Sequence, residues 1–236
     1  ANRHYLPGYT WHLTHRCHKK ESLLKFEKDR ERYLWWLFEA KKRYHLCILN
    51  YAVTSNHIPI LVMDTGDQAI PKSMQLIAGR TGQEYNARKT RKGAFWEDRY
   101  HATAVQTCSY LVQCMLYIDF NMVRAGVVDH PTAWPHCGDH EIVMPPKRYA
   151  RVDHGMPMDL LGMQCLDEMS AWYHACVEEE LGRAENRRAS LWTEGLAVGD
   201  EGYVELNAPY ARRRARIMDA PNHRSGALSF ISSSVR

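Results

Sequence analysis

Tyr117 and Asn121 stand four residues apart in the stretch TCSYLVQCMLYIDFNMVRAGVV, residues 107–128. The apolar spacing predicts a helix here, with Thr107 as its N-cap and Gly126 at a left-handed C-cap. Positions i and i+4 of a helix lie one turn apart on one face, so a phenol and an amide oxygen point into the same small volume. A phenol oxygen can attack a phosphodiester if a metal ion polarises the phosphate, and an amide oxygen can help hold that ion. The same residue types also have plain structural uses. Helical tyrosines commonly pack at a core rim, and asparagines near a helix end commonly act as caps.

The elements that must position this pair are legible from period and punctuation. Residues 9–16, YTWHLTHR, alternate as a strand. His12 and His15 fall on opposite faces of it, which reads as surface or phosphate contact rather than shared ligation. Residues 26–44 form an amphipathic helix with Tyr33, Leu34, Leu37 and Phe38 at helical spacing. Residues 46–54 and 58–63 are short, branched and apolar, and a turn at 54–56 makes them adjacent antiparallel strands. A helix over 71–88 carries Pro71 in its first turn and is weakened by Gly79 and Gly82, and a strand over 100–105 comes next. Between them, Arg88, Lys89, Arg91, Lys92 and Arg99 flank Phe95 and Trp96. Cations beside aromatics suit phosphate neutralisation and base stacking, which makes this segment a DNA-contact candidate, with a solvated loop as the alternative.

This order gives an α+β fold, a ferredoxin-like antiparallel sheet with helices on one face. Residues 1–135 form that domain, 136–207 a mainly helical extension with a helix over 160–181, and 208–236 a basic, Ser-rich tail. With 236 residues, 45% of them hydrophobic and 25% charged, the chain can bury a real core. No run reaches the roughly 18 apolar residues of a membrane span, so a cytoplasmic protein with no membrane contact is expected. Seven cysteines without a C-x-x-C pair argue against a disulfide framework or a structural zinc site. A net charge of +4 is compatible with a nucleic-acid partner but does not require one.

The segments LNYAVTSNHIPILV (49–62), KGAFWEDRYHATAV (92–105), YIDFNMVRAGVV (117–128) and HPTAWPH (130–136) together resemble the single-tyrosine HUH transposases. The REP-associated tyrosine transposase branch is the nearest in pattern, and Trp192 and residues 199–204 resemble that branch's tails. The resemblance implies a single-strand DNA endonuclease and transferase that forms a 5′-phosphotyrosine bond, acting on single-stranded or hairpin DNA as a monomer or homodimer. Tyr117 matches the nucleophile, Asn121 the helix-borne metal ligand and His57 the first histidine of a His-x-His strand that binds Mg or Mn.

Pro59 occupies the position of the second histidine. Positions 57 and 59 share a strand face, and proline brings neither a donor atom nor an N–H. The clamp falls to His57 and Asn121 unless water, Asp119 or His101 fills in. Two readings stay open: DNA strand cleavage and joining weakened at the metal, and a transposase-derived DNA-binding protein that no longer cuts.

Overall fold

The chain is described by a computed structural model that covers residue 5, residues 7–183 and residues 190–207. The tail arginines Arg212, Arg213, Arg214 and Arg216 lie outside the described residues. The first part runs β1 (Thr10–Arg16), α1 (Glu27–Tyr44), β2 (Cys47–Tyr51), β3 (His57–Met63), α2 (Ala69–Arg88) and β4 (His101–Val105). The expected ferredoxin-like order is therefore present. The sheet reads β2-β3-β1-β4, antiparallel throughout, and each strand lies within a few residues of the segment that predicted it.

Register then decides what faces what. Arg16 pairs with His57, Thr14 with Pro59 and His12 with Leu61 across β1 and β3. Directly opposed side chains share a face, so these residues and their alternates define one side of the sheet. The other side carries Leu13, His15, Ile58 and Ile60, all buried. On that side Trp96 stacks on His15 with ring centroids 3.7 Å apart, meets Tyr33 of α1 and donates to the Ala78 carbonyl of α2. The α1 and α2 pair covers this face, as the fold class requires. Gly82 lets α2 approach closely, since a Cβ there would stand 3.2 Å from Phe95 Cβ.

Among the described residues the later elements are α3 (Ser109–Asp119), α4 (Asn121–Arg124), α5 (Asp139–Val143), α6 (Gly155–Leu161), α7 (Leu166–Leu181), α8 (Leu191–Glu194), β5 (Ala197–Val198) and α9 (Glu201–Asn207); α3 lies across β2, β3 and β4 on the first face, α8 lies against β4, and α7 packs on α3. Helices thus lie on both sheet faces, one face more than the sequence indicated. The reason is the apolar face of α3, where Leu111, Val112, Met115 and Ile118 are fully buried. Within the extension, β5 joins β4 in parallel and makes the sheet mixed and five-stranded.

Three boundaries differ from expectation. The residue before α3 is Cys108, with φ of 63°, rather than Thr107. A break at Phe120 separates α3 from α4, though the Phe120 N–H still reaches the Leu116 carbonyl at 2.9 Å. The helix expected over 160–181 is split by Gly162, whose φ of 70° ends α6 in the left-handed conformation that glycine tolerates. Gly126 does adopt the expected left-handed C-cap, with φ of 65°.

Candidate active site

The end of β3, the α3–α4 junction and α8 enclose a cavity of about 280 Å³ lined by Arg16, Lys20, Asn56, His57, Tyr117, Asn121, Arg124 and Thr193. All three residues expected to do chemistry line it together. A larger cavity, about 1080 Å³, opens on the opposite sheet face beside His15, Trp96 and Arg99. Size does not choose between them; the smaller one holds the phenol, imidazole and amide, with three side chains of positive charge around them.

Hydrogen bonds orient the first ligand pair. Asn121 Nδ2 donates to the carbonyls of Tyr117 and Ile118 at 3.1 and 3.0 Å, which turns its Oδ1 outward, 3.2 Å from His57 Nε2. On the other side of the imidazole, Nδ1 lies 2.9 Å from Asn56 Oδ1. Asn56 Oδ1 and Asn121 Oδ1 both only accept, so a neutral ring can donate to one of them, and with the proton on Nδ1 the Nε2 lone pair faces Asn121 Oδ1. Two acceptors facing one another need a proton or a cation between them. Adjacent ligands of a small divalent ion bound near 2.1 Å are about 3 Å apart, so the observed separation fits such an ion.

The rest of the clamp is thinner. Position 59 is on the cavity face, buried beside Thr14, whose hydroxyl has no hydrogen-bond partner. The proline is tolerated in an inner strand for a local reason. Its carbonyl accepts from Ala52 at 3.0 Å, so its missing N–H also faces β2, just past the Tyr51–Ile60 pair where that ladder ends. Neither suggested substitute supplies the lost ligand. Asp119 is buried away from the cavity, where it accepts from Asn50 at 3.0 Å and from Tyr173. His101 lies 2.8 Å from the Gly195 carbonyl through Nε2. Among the described residues no group of three His, Cys, Asp or Glu is placed to hold a metal.

Several neighbours of Tyr117 escaped the sequence reading. Arg124 lies over its ring at 4.3 Å and also donates to its carbonyl. Trp192 of the extension tilts against the ring at 5.9 Å, and His12 meets it edge-on at 6.1 Å. His12 and His15 are both buried, which corrects their reading as surface residues. Burial, with smaller contributions from His101 and His57, brings the His12 pKa down to about 4. Alternation in YTWHLTHR placed Arg16 and His12 on one face, and Arg124 sits two turns beyond Tyr117; both signals were available.

The basic segment lies elsewhere. Arg88 pairs with Asp29, Arg91 lies 3.6 Å from Glu21, Lys89 sits over the Phe26 ring and Lys92 is exposed. Trp96 and Arg99 line the cavity on the α1–α2 face. None of these six residues lines the Tyr117 cavity.

Fold and cavity define an α+β protein with a ferredoxin-like sheet and a tyrosine, histidine and asparagine gathered on one face. Residues 6–121, just under half of the chain, match the family model described as transposase IS200 like. Among solved structures, the chain is similar to a REP-associated tyrosine transposase bound to a REP hairpin. That match has 19% identity and a TM-score of 0.51, covering 71% of this chain and 88% of the other. A putative transposase from Deinococcus radiodurans R1 also matches, at 14% identity and a TM-score of 0.36, over 54% of this chain and 91% of that one. No curated protein matches the sequence. No helix among the described residues is long and apolar enough to cross a membrane.

Proposed function

We propose that this chain binds single-stranded or hairpin DNA across the Tyr117 cavity, and that its chemistry is DNA strand cleavage and joining through Tyr117, weakened by Pro59. The observation that carries this reading is the convergence of Tyr117, His57 and Asn121 in one cavity of a chain whose residues 6–121 match the IS200-like transposase model. His57 Nε2 and Asn121 Oδ1 would hold Mg or Mn, which when bound polarises a phosphate. Arg16, Lys20 and Arg124 offer positive charge for the phosphates, and the Tyr117 oxygen is the attacking atom. Its attack on phosphorus displaces a 3′-oxygen and leaves a 5′-phosphotyrosine.

A denaturing gel with labelled single-stranded DNA and millimolar Mn tests this. A slow covalent adduct is expected from the native chain and none from Tyr117→Phe; an adduct of equal yield in both would remove Tyr117 from the chemistry. The second reading, a binding protein that no longer cuts, is favoured by Pro59. It predicts saturable DNA binding with no adduct at any metal concentration.

Binding itself makes a separate prediction. Arg16→Gln with Lys20→Gln removes two cavity cations, and each lost phosphate contact lowers the salt slope on single strands by about 0.7. The double variant is therefore expected to bind more weakly and to lose roughly 1.4 from the slope of log affinity against log salt. An unchanged slope, with a drop on neutralising Arg88, Lys89, Arg91 and Lys92 instead, would move the DNA to the other sheet face.

A further inference from the structure

We propose that Trp192, which the C-terminal extension brings back to the sheet, is a positioning residue that holds the Tyr117 side chain in one orientation at the cavity. The inference rests on the reading of Tyr117 as the nucleophile and names what aims it.

Side chains of the sheet fix the backbone around Trp192. His12 of β1 and Thr103 of β4 are directly paired, so both project from the Tyr117 face. His12 Nδ1 donates to the Trp192 carbonyl at 2.8 Å, and the Thr103 hydroxyl donates to the Gly195 carbonyl at 2.7 Å. His101 Nε2 reaches that same Gly195 carbonyl at 2.8 Å. The attachment continues along the main chain, where the Ala104 and Gln106 N–H groups donate to the Leu196 and Val198 carbonyls, each at 2.9 Å. A helix of four residues gains little from its own hydrogen bonds, so these ties decide where α8 sits. Gly195 permits the turn that follows, since a Cβ there would collide with the Leu191 carbonyl.

From this anchored backbone the indole reaches the candidate site. Its ring tilts against Tyr117, with centroids 5.9 Å and planes 31° apart. The His12 ring stands edge-on to both, 6.1 Å from Tyr117 and 6.4 Å from Trp192, so the three rings form one cluster. Trp192 is buried, Tyr117 is partly buried, and Thr193 beside the indole lines the cavity. A tyrosine side chain can turn about χ1 among staggered wells, and a change of well carries its oxygen out of attacking distance. Packing against a fixed indole leaves one well. Misplacing a reacting group by about 1 Å can cost about 100-fold in rate, so the wall matters for chemistry even though an indole offers no metal-ligand atom.

The first test needs neither metal nor DNA. In the full chain labelled with 13C and 15N, three-bond couplings from the Tyr117 backbone to its Cγ report χ1, with Tyr117→Phe assigning the signals. One staggered orientation is expected in the native protein, averaging over several in Trp192→Ala, and recovery of one in Trp192→Phe. Unchanged couplings in the Ala variant, or averaged couplings in the native protein, would overturn the proposal. Should the Ala variant lose its amide dispersion, Trp192→Leu, which refills the volume without the flat ring face, carries the comparison under the same criterion. The second test follows the covalent adduct at saturating single-stranded DNA. Trp192→Ala is expected to slow its formation by about tenfold or more while the DNA concentration at half-saturation stays within about twofold. A weaker affinity with an unchanged rate would overturn the proposal and make Trp192 a DNA contact instead. An adduct that survives Tyr117→Phe would sink the nucleophile reading, while the couplings would still decide whether Trp192 holds the ring.

Discussion

Pro59→His is expected to raise Mn- or Mg-dependent cleavage of single-stranded DNA by at least about tenfold, since loss of even an outer-shell partner of a metal ligand costs about 10–100-fold. The new imidazole would share the cavity face with His57, because positions 57 and 59 lie two residues apart on β3. It would also find a partner already in place. The Thr14 hydroxyl, directly across the β1–β3 pair, is buried and has no hydrogen-bond partner, as expected beside a site built for a polar side chain. The backbone change is mild. Histidine restores an N–H toward the end of β2, where proline removed one. The comparison requires saturating DNA, so that a binding difference is not read as chemistry, and the Tyr117→Phe background, in which the gain is expected to vanish. Strong metal-dependent cleavage by the native chain, unchanged in Pro59→His, would show that the missing imidazole costs nothing.

How much of this was legible in the sequence depends on whether the signal was local. Strands β1 and β4 follow from two-residue alternation, β2 and β3 from short branched apolar runs, and the Tyr117–Asn121 pair from helical spacing. His57 and Pro59 needed the family pattern, because one histidine on a strand says little alone. The α3–α4 break was not legible, yet the pair survives it, since the Phe120 and Arg124 backbone bonds keep the helical path. Long-range contacts account for what was missed. Trp192 reaches Tyr117 because β5 docks beside β4, some ninety residues away in sequence, and no local period announces that. The basic residues 88–92 stand out in the chain, but charge density says nothing about which sheet face they will join. Register decided that, and it placed Trp96 against His15 rather than Tyr117. Five of the seven cysteines are buried, and burial pushes the Cys17, Cys47 and Cys176 thiols up to about 12.

Behind the candidate site, the last residue of α3 sets a second large effect, on stability. Asp119 is buried and accepts from Asn50 of β2 and from Tyr173 of α7, so it ties the Tyr117 helix to both the sheet and the extension. Burial first, and the neighbouring Asp139 carboxylate second, raise its pKa well above the ordinary 3.8. The folded chain therefore holds a proton that the unfolded chain releases, and stability falls as pH climbs from about 4 towards the raised value. His12 works in the opposite sense. Its pKa near 4 means that the unfolded chain takes up a proton first as pH drops below 6.5, a loss of about 3 kcal/mol by pH 4. His136, also brought down to about 4, adds to that acid limb. These opposing slopes partly cancel in the native protein between pH 4 and 6.5, so the effect of Asp119 is best read as a difference. Asp119→Asn keeps the shape and an acceptor for Tyr173 but has no proton to lose. Its stability relative to the native chain, from urea unfolding at several pH values, is expected to improve by up to about 1.4 kcal/mol per pH unit above 4 until the raised pKa is passed. A difference that stays flat across this range would mean that Asp119 ionises alike in the folded and unfolded chains. One that worsens with pH would mean that the fold stabilises the carboxylate.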